Sequence, residues 1–78
     1  MAITYDKTKY SKEIGWKGKT LQIPTPSEVE ALIENAKAGN SRSAAQVFIY
    51  YRFCKSPETV EEVKTINLLS KAFNELFT

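Results

Sequence analysis

The first dozen residues alternate weakly between apolar and polar, with Ile3 and Tyr5 on one parity, before the chain turns polar. Gly15-Trp16-Lys17-Gly18-Lys19 sets two glycines around an aromatic, the composition of a turn. Lys19-Thr20-Leu21-Gln22-Ile23 then alternates polar and apolar residues, which predicts a short half-buried strand that Pro24 stops. Beyond Pro24 the apolar spacing changes from two to three and four, the period of helices.

Three helices are predicted there, each with its own punctuation. Thr25-Pro26-Ser27-Glu28 supplies a hydroxyl cap, a proline at the first helical position and a carboxylate that suits the positive helix end. Val29, Leu32, Ile33 and Ala36 follow as one stripe, and Lys37 and Gly39 close a helix over about 26–38. Asn40 or Ser41 caps a second helix over about 42–55. Ala44, Val47, Phe48, Tyr51 and Cys54 make one stripe of it, while Ala45, Ile49, Tyr50 and Phe53 spread round the rest. A helix apolar on most sides is expected at the centre, against both other helices and, in a dimer, its own copy. Ser56-Pro57-Glu58 repeats the cap-proline-acid start and opens a third helix over about 57–77, with Val60, Val63, Ile66, Leu69, Phe73 and Leu76 on one side. That side either packs within the chain or seals a dimer.

The expected fold class is thus α+β, mostly α, with a short N-terminal strand or strands followed by three helices. A single domain spans residues 1–78: an arm or hairpin over 1–18, a strand-helix-helix core over 19–55 and a C-terminal helix over 56–78. So short a chain, with no disulfide to staple it, must pack very well or gain core from a second copy.

Composition narrows the chemistry. The 78 residues contain no histidine, which excludes an imidazole base, a nucleophile-histidine relay and a histidine-ligated zinc. Cys54 is the one cysteine, so neither a disulfide nor a cysteine metal cluster is available, and among aromatics it is expected to be an inert buried thiol. Lysines and glutamates form no organised acid-base cluster or phosphate loop, so no enzyme, cofactor or metal is expected. The longest apolar run, Val47 to Tyr51, is far short of the roughly 20 residues of a membrane span. With no apolar stretch at the start, a cytoplasmic protein without membrane contact is expected. Eleven basic and nine acidic residues leave +2, distributed as +3 over residues 1–20, +1 over 21–55 and −2 over 56–78. A basic front and an acidic back orient the protein towards an anionic partner, or else the lysines only solubilise the N-terminal segment.

Leu21-Gln22-Ile23-Pro24, the helix containing Val29, Leu32 and Ile33, and then Gly39-Asn40-Ser41-Arg42-Ser43 resemble the ribbon-helix-helix family over residues 19–53. The resemblance implies a dimeric, DNA-binding transcriptional regulator that lays a two-stranded ribbon, one strand from each chain, in the major groove. It would put Thr20 and Gln22 on the bases, since Gln pairs with adenine and a Thr methyl meets thymine. Lys17, Lys19, Ser41, Arg42 and Ser43 would bind phosphates, and Phe48, Tyr51 and Phe53 would form the dimer core. This chain departs from the family at the base-facing positions, where Arg or Lys is common, and in its N-terminal segment and long last helix. Residues 12–23 also read as an internal hairpin turning at Lys17-Gly18, and Gly39-Asn40-Ser41 suits any helix-helix turn. The alternative is a small non-enzymatic inhibitor or adaptor, of phage or plasmid type, that binds an acidic protein through Trp16, Arg42 and the N-terminal lysines. Trp16 equally suits a lid over the core. A helix-turn-helix reader is excluded because residues 42–55 lack a polar face from Val47 onward.

Overall fold

The computed structural model describes residues 3–14, 18 and 20–78. It corrects the α+β expectation: the described residues form four helices, are 69% helical and contain no strand or sheet. The helices are α1 (Lys7–Ile14), α2 (Pro26–Lys37), α3 (Ser41–Phe53) and α4 (Val60–Leu76).

The predicted strand at 19–23 fails for a reason visible in its hydrogen bonds. The Leu21 N–H donates to the Phe53 carbonyl at 2.9 Å, and the Leu21 carbonyl accepts from Lys55 N–H at 2.9 Å. Leu21 therefore makes one isolated parallel bridge to Cys54, inside its own chain. Alternation favoured an extended backbone, and the unwound end of α3 supplied it with a partner one residue long. Residues 20–23 thus form neither a ribbon strand nor one arm of a hairpin among the described residues.

The arm expected over 1–18 holds a helix instead. Asp6 starts α1 by accepting from the amides of Thr8 (2.9 Å) and Lys9 (3.2 Å), the ordinary work of an N-cap carboxylate. Before it, Tyr5 pairs with Phe77, with the Tyr5 amide on the Leu76 carbonyl and the Thr78 amide on the Tyr5 carbonyl. α1 is short and polar, so the apolar periodicity that betrays longer helices was absent.

α2 follows its capping signals. Thr25 accepts from the Glu28 amide at 3.2 Å, Pro26 opens the helix, and Val29 and Ala36 are fully buried. It ends in a Schellman turn, with the amides of Gly39 and Asn40 on the carbonyls of Ala36 and Asn35. Gly39 holds a φ of +106°, which an L side chain resists, and Ile3 crowds the space a Cβ would fill. Asn40, having closed α2, opens α3 with its side-chain oxygen on the amides of Arg42 and Ser43.

α3 ends two residues short of the expected boundary, where Cys54 turns extended to meet Leu21. α4 begins three residues later than expected. Thr59, not Ser56, is the cap and accepts from the Glu62 amide at 3.0 Å, while Glu62 reaches back to the Glu58 amide at 2.9 Å. Lys55 clamps the same carboxylate at 3.1 Å. Ser56-Pro57-Glu58 stays outside the helix, and Val60 and Val63, placed in the core stripe by spacing, are exposed.

α2, α3 and α4 each pack on the other two, and α1 packs on α3. The second predicted helix, α3, touches both others as expected, but α2 and α4 also pack directly on each other, so α3 is one side of a triangle and keeps an outer face instead of being buried on most sides. Alanines 36, 44 and 72 let the helices approach closely around Val47, Phe48, Leu69, Phe73 and Leu76. Thr65 is fully buried because its hydroxyl donates to the Glu61 carbonyl one turn back.

Two outcomes test this account. Gly39→Ala should cost about 1–2 kcal/mol in urea unfolding, the penalty for forcing an L residue into left-handed backbone. The Glu62 carboxyl is held below the usual range, first by the Glu58 amide and then by Lys55, with Glu58 also facing that lysine. Its folded pKa lies below its unfolded value, about 4.3, so its stabilisation is present above that value and is lost as pH falls through the folded one. Thermal unfolding should therefore separate Glu62→Gln from the parent at neutral pH, with the two curves converging as pH falls through the lowered folded value.

Candidate binding face

Four residues of α3 at spacings of three and four, Arg42, Ala45, Ile49 and Arg52, form a stripe away from the core. The core side of the same helix is Ser43, Ala44, Val47 and Phe48, all buried. Both arginines are exposed, and the alanine and isoleucine between them are half-buried. Ten residues at 1.5 Å each place the two charges about 15 Å apart along the axis.

Each arginine sits beside a recess. At the start of α3, Lys9, Tyr10, Glu13, Ser41, Arg42 and Ala45 line a cleft of about 320 Å³ between α1 and α3. The Tyr10 hydroxyl donates to the Ser41 carbonyl at 3.2 Å and joins the two walls. Partial burial, then Tyr5 and Glu13, push the Tyr10 phenol above its ordinary pKa, so it remains a neutral donor. At the other end, Gly18, Thr20, Arg52, Phe53 and Cys54 line a recess of about 200 Å³. There the Arg52 guanidinium lies 5.8 Å from the centre of the Phe48 ring, a cation-π contact that steadies it.

The charge is segregated by helix. α1 and α3 carry Lys7, Lys9, Lys12, Arg42 and Arg52 against Glu13 alone, a net of +4. α2 and α4 carry Lys37, Lys64 and Lys71 against Glu28, Glu30, Glu34, Glu61, Glu62 and Glu75, a net of −3. The ion pairs among the described residues join Lys37 to Glu75 and Lys55 to Glu58 and Glu62, so none involves Arg42 or Arg52.

The residues singled out in the sequence are dispersed over this frame. Thr20 and Gln22 are exposed near the end of α3, and Thr20 shares the recess with Arg52. Ser41 and Arg42 are exposed at its beginning, but Ser43 is buried. The amides of Arg42 and Ser43, expected to meet a phosphate, are taken by Asn40. Phe48 is buried in the core, Phe53 is half-buried, and Tyr51 is exposed while stacking on Phe73 at 4.2 Å. Trp16, Lys17 and Lys19 lie outside the described residues.

Cys54 is half-buried, its thiol directed at the Gln22 carbonyl at 3.7 Å, and burial raises its pKa. A thiol held protonated is a poor nucleophile. Sequence reasoning grouped the N-terminal lysines with Arg42 but missed Arg52, and did not single out Lys9 from the other lysines. Arg52 was legible from its spacing to Arg42, whereas Lys9 needed α1 to be recognised.

No helix among the described residues is long and apolar enough to cross a membrane, and no group of them is placed to hold a metal ion. Comparisons with protein-family models, curated proteins and solved structures found no match for this chain.

Asn40→Ala should lower stability by about 1 kcal/mol, within the usual range for a lost N-cap. In a domain of this size that is a fall of about 4–8 °C in melting temperature by circular dichroism.

Proposed function

We propose that this chain is a small non-enzymatic binding module that engages an acidic protein surface through the outer face of α3 and its cleft with α1. The observation that carries the reading is an exposed arginine, in no ion pair among the described residues, at each end of a half-buried apolar centre, on the helices that hold the positive charge. Protein interfaces favour this layout, with apolar side chains desolvated at the centre and charge at the rim to steer and orient the partner. Arginine suits the rim because its fork pairs two-pronged with a carboxylate.

Several features favour a protein over a nucleic acid. Phosphate recognition draws on helix-start amides and dense cation tracks. Here Asn40 takes the two amides, Ser43 is buried, and the Glu13 carboxylate lines the same cleft as Lys9 and Arg42. Ile49, at the middle of the face, has nothing to gain from a phosphate.

The test is an NMR titration with a synthetic acidic peptide, an amphipathic helix with Glu on its polar face and Leu on the other. Amide shifts should concentrate at Lys9, Arg42, Ala45, Ile49 and Arg52, with little change on α2. Arg42→Glu combined with Arg52→Glu should weaken the affinity at least tenfold, roughly 1.4 kcal/mol, with an unchanged circular dichroism spectrum. A mixed-sequence DNA duplex supplies the opposing arm. Tight duplex binding with a log-log salt slope near about −5 would transfer the face to nucleic acid. Shifts scattered over α2 and α4 would remove the face from the binding reaction.

A further inference from the structure

Across the core from α3 lies a groove between α2 and α4, of about 250 Å³. Its floor is apolar, made by Ile33, Leu68 and Ala72. Its walls carry Glu30 and Glu34, one helical turn apart on α2, together with Glu75 paired to Lys37 at 3.1 Å. Lys71 is the remaining cation, so the groove as a whole carries one negative charge. Glu30 and Glu34 are both exposed, and neither takes part in an ion pair among the described residues.

This groove has the reverse layout of the α3 face. One has an apolar floor edged on the α2 side by Glu30 and Glu34, and the other an apolar centre with a cation at each end. Within one molecule the two are on opposite sides of the three-helix core, so the face of a chain has no access to its own groove. We infer that the groove receives the α3 face of a second copy, head to tail, with Ile49 over the Ile33 and Leu68 floor and Arg52, one turn from Ile49, against Glu30 and Glu34. The inference rests on the reading of the α3 face as a binder of acidic surfaces and names one such surface.

A contact between two different faces leaves one of each free at the ends of every open assembly. It therefore grows with concentration, and every α3 face it seats is closed to other partners. Assembly and partner binding compete for the same residues, so a crowded population holds its binding face in reserve and releases it on dilution or when salt rises.

Sedimentation equilibrium of the full chain tests this. At about 10 mM salt, where charges act over about 30 Å, the weight-average mass should climb with concentration past twice the monomer's. At about 1 M salt, where that reach shrinks to about 3 Å, it should return to the monomer's. Two charge-reversed variants separate the halves of the contact: Glu30→Lys with Glu34→Lys in the groove, and Arg42→Glu with Arg52→Glu on the face. Each should remain monomeric at low salt because its own face and groove then carry like charge. An equimolar mixture should associate again, since the native face of the first meets the native groove of the second. That recovery also shows that both variants are folded.

A monomer at low salt for the parent chain overturns the inference, as does a mass that stops at a closed dimer or a mixture that stays apart. The acidic peptide of the preceding titration distinguishes the two readings. Peptide binding by the groove variant without any self-association leaves the α3 reading standing and removes only this one. Loss of peptide binding by the folded parent removes both.

Discussion

Phe77 lies where four parts of the chain meet, and the placement of α1 depends on it. It follows α4, is buried, and touches the rings of Tyr5, Tyr10, Phe48 and Phe73. Tyr5 belongs to the N-terminal segment, Tyr10 to α1 and Phe48 to α3, so one aromatic cluster ties the first and last parts of the chain to the centre. Around Phe77 the rings meet at 5.1–5.7 Å, Phe73 stacked, Tyr5 and Phe48 tilted and Tyr10 edge to face, geometries that add to the gain from burial. The Tyr5 hydroxyl extends the tie by donating to the Ala36 carbonyl on α2 at 2.6 Å. A domain this small, with one cysteine and so no internal disulfide, makes up for a limited core in this way.

That cluster also decides which surface is left for binding. By holding α1 against the beginning of α3, it brings Lys9, with Glu13, to the cleft that Arg42 also lines. Two carboxylates of α4 are spent locally, Glu62 on capping and on Lys55 and Glu75 on Lys37. The polarity is a product of topology more than of composition, since the whole chain carries only +2.

The sequence made α2, α3 and α4 legible through local chemistry. Thr25-Pro26 and Gly39-Asn40 act within a turn of their own position, so their meaning survives without knowledge of the fold. The predictions at 19–23 and at the start of α4 needed longer-range information. Alternation at Leu21 and Ile23 marks an extended segment but says nothing of what it bonds to, and here the partner is the end of α3. Ser56-Pro57-Glu58 and Thr59-Val60-Glu61-Glu62 both offer a start to α4. The second prevails with Glu62 held by the Glu58 amide and by Lys55, a lysine from before the proline. α1 was hidden because eight residues with few apolar positions carry almost no period, and its order is borrowed from Tyr10 against Phe48 and Phe77. The binding face was half legible: Arg42 was marked out, but its companions are neighbours only once α1 and α3 are packed.

The parallel pairing of Tyr5 with Phe77 has a mechanical side. Because the two segments run in the same direction, tension applied at residue 3 and residue 78 pulls them past each other lengthwise. The two hydrogen bonds of the pairing, Tyr5 to Leu76 and Thr78 to Tyr5, then share the load simultaneously instead of yielding one after the other. The aromatic rings beside them resist the same sliding. A chain tethered by its ends would transmit force through this small clasp before any helix was stretched.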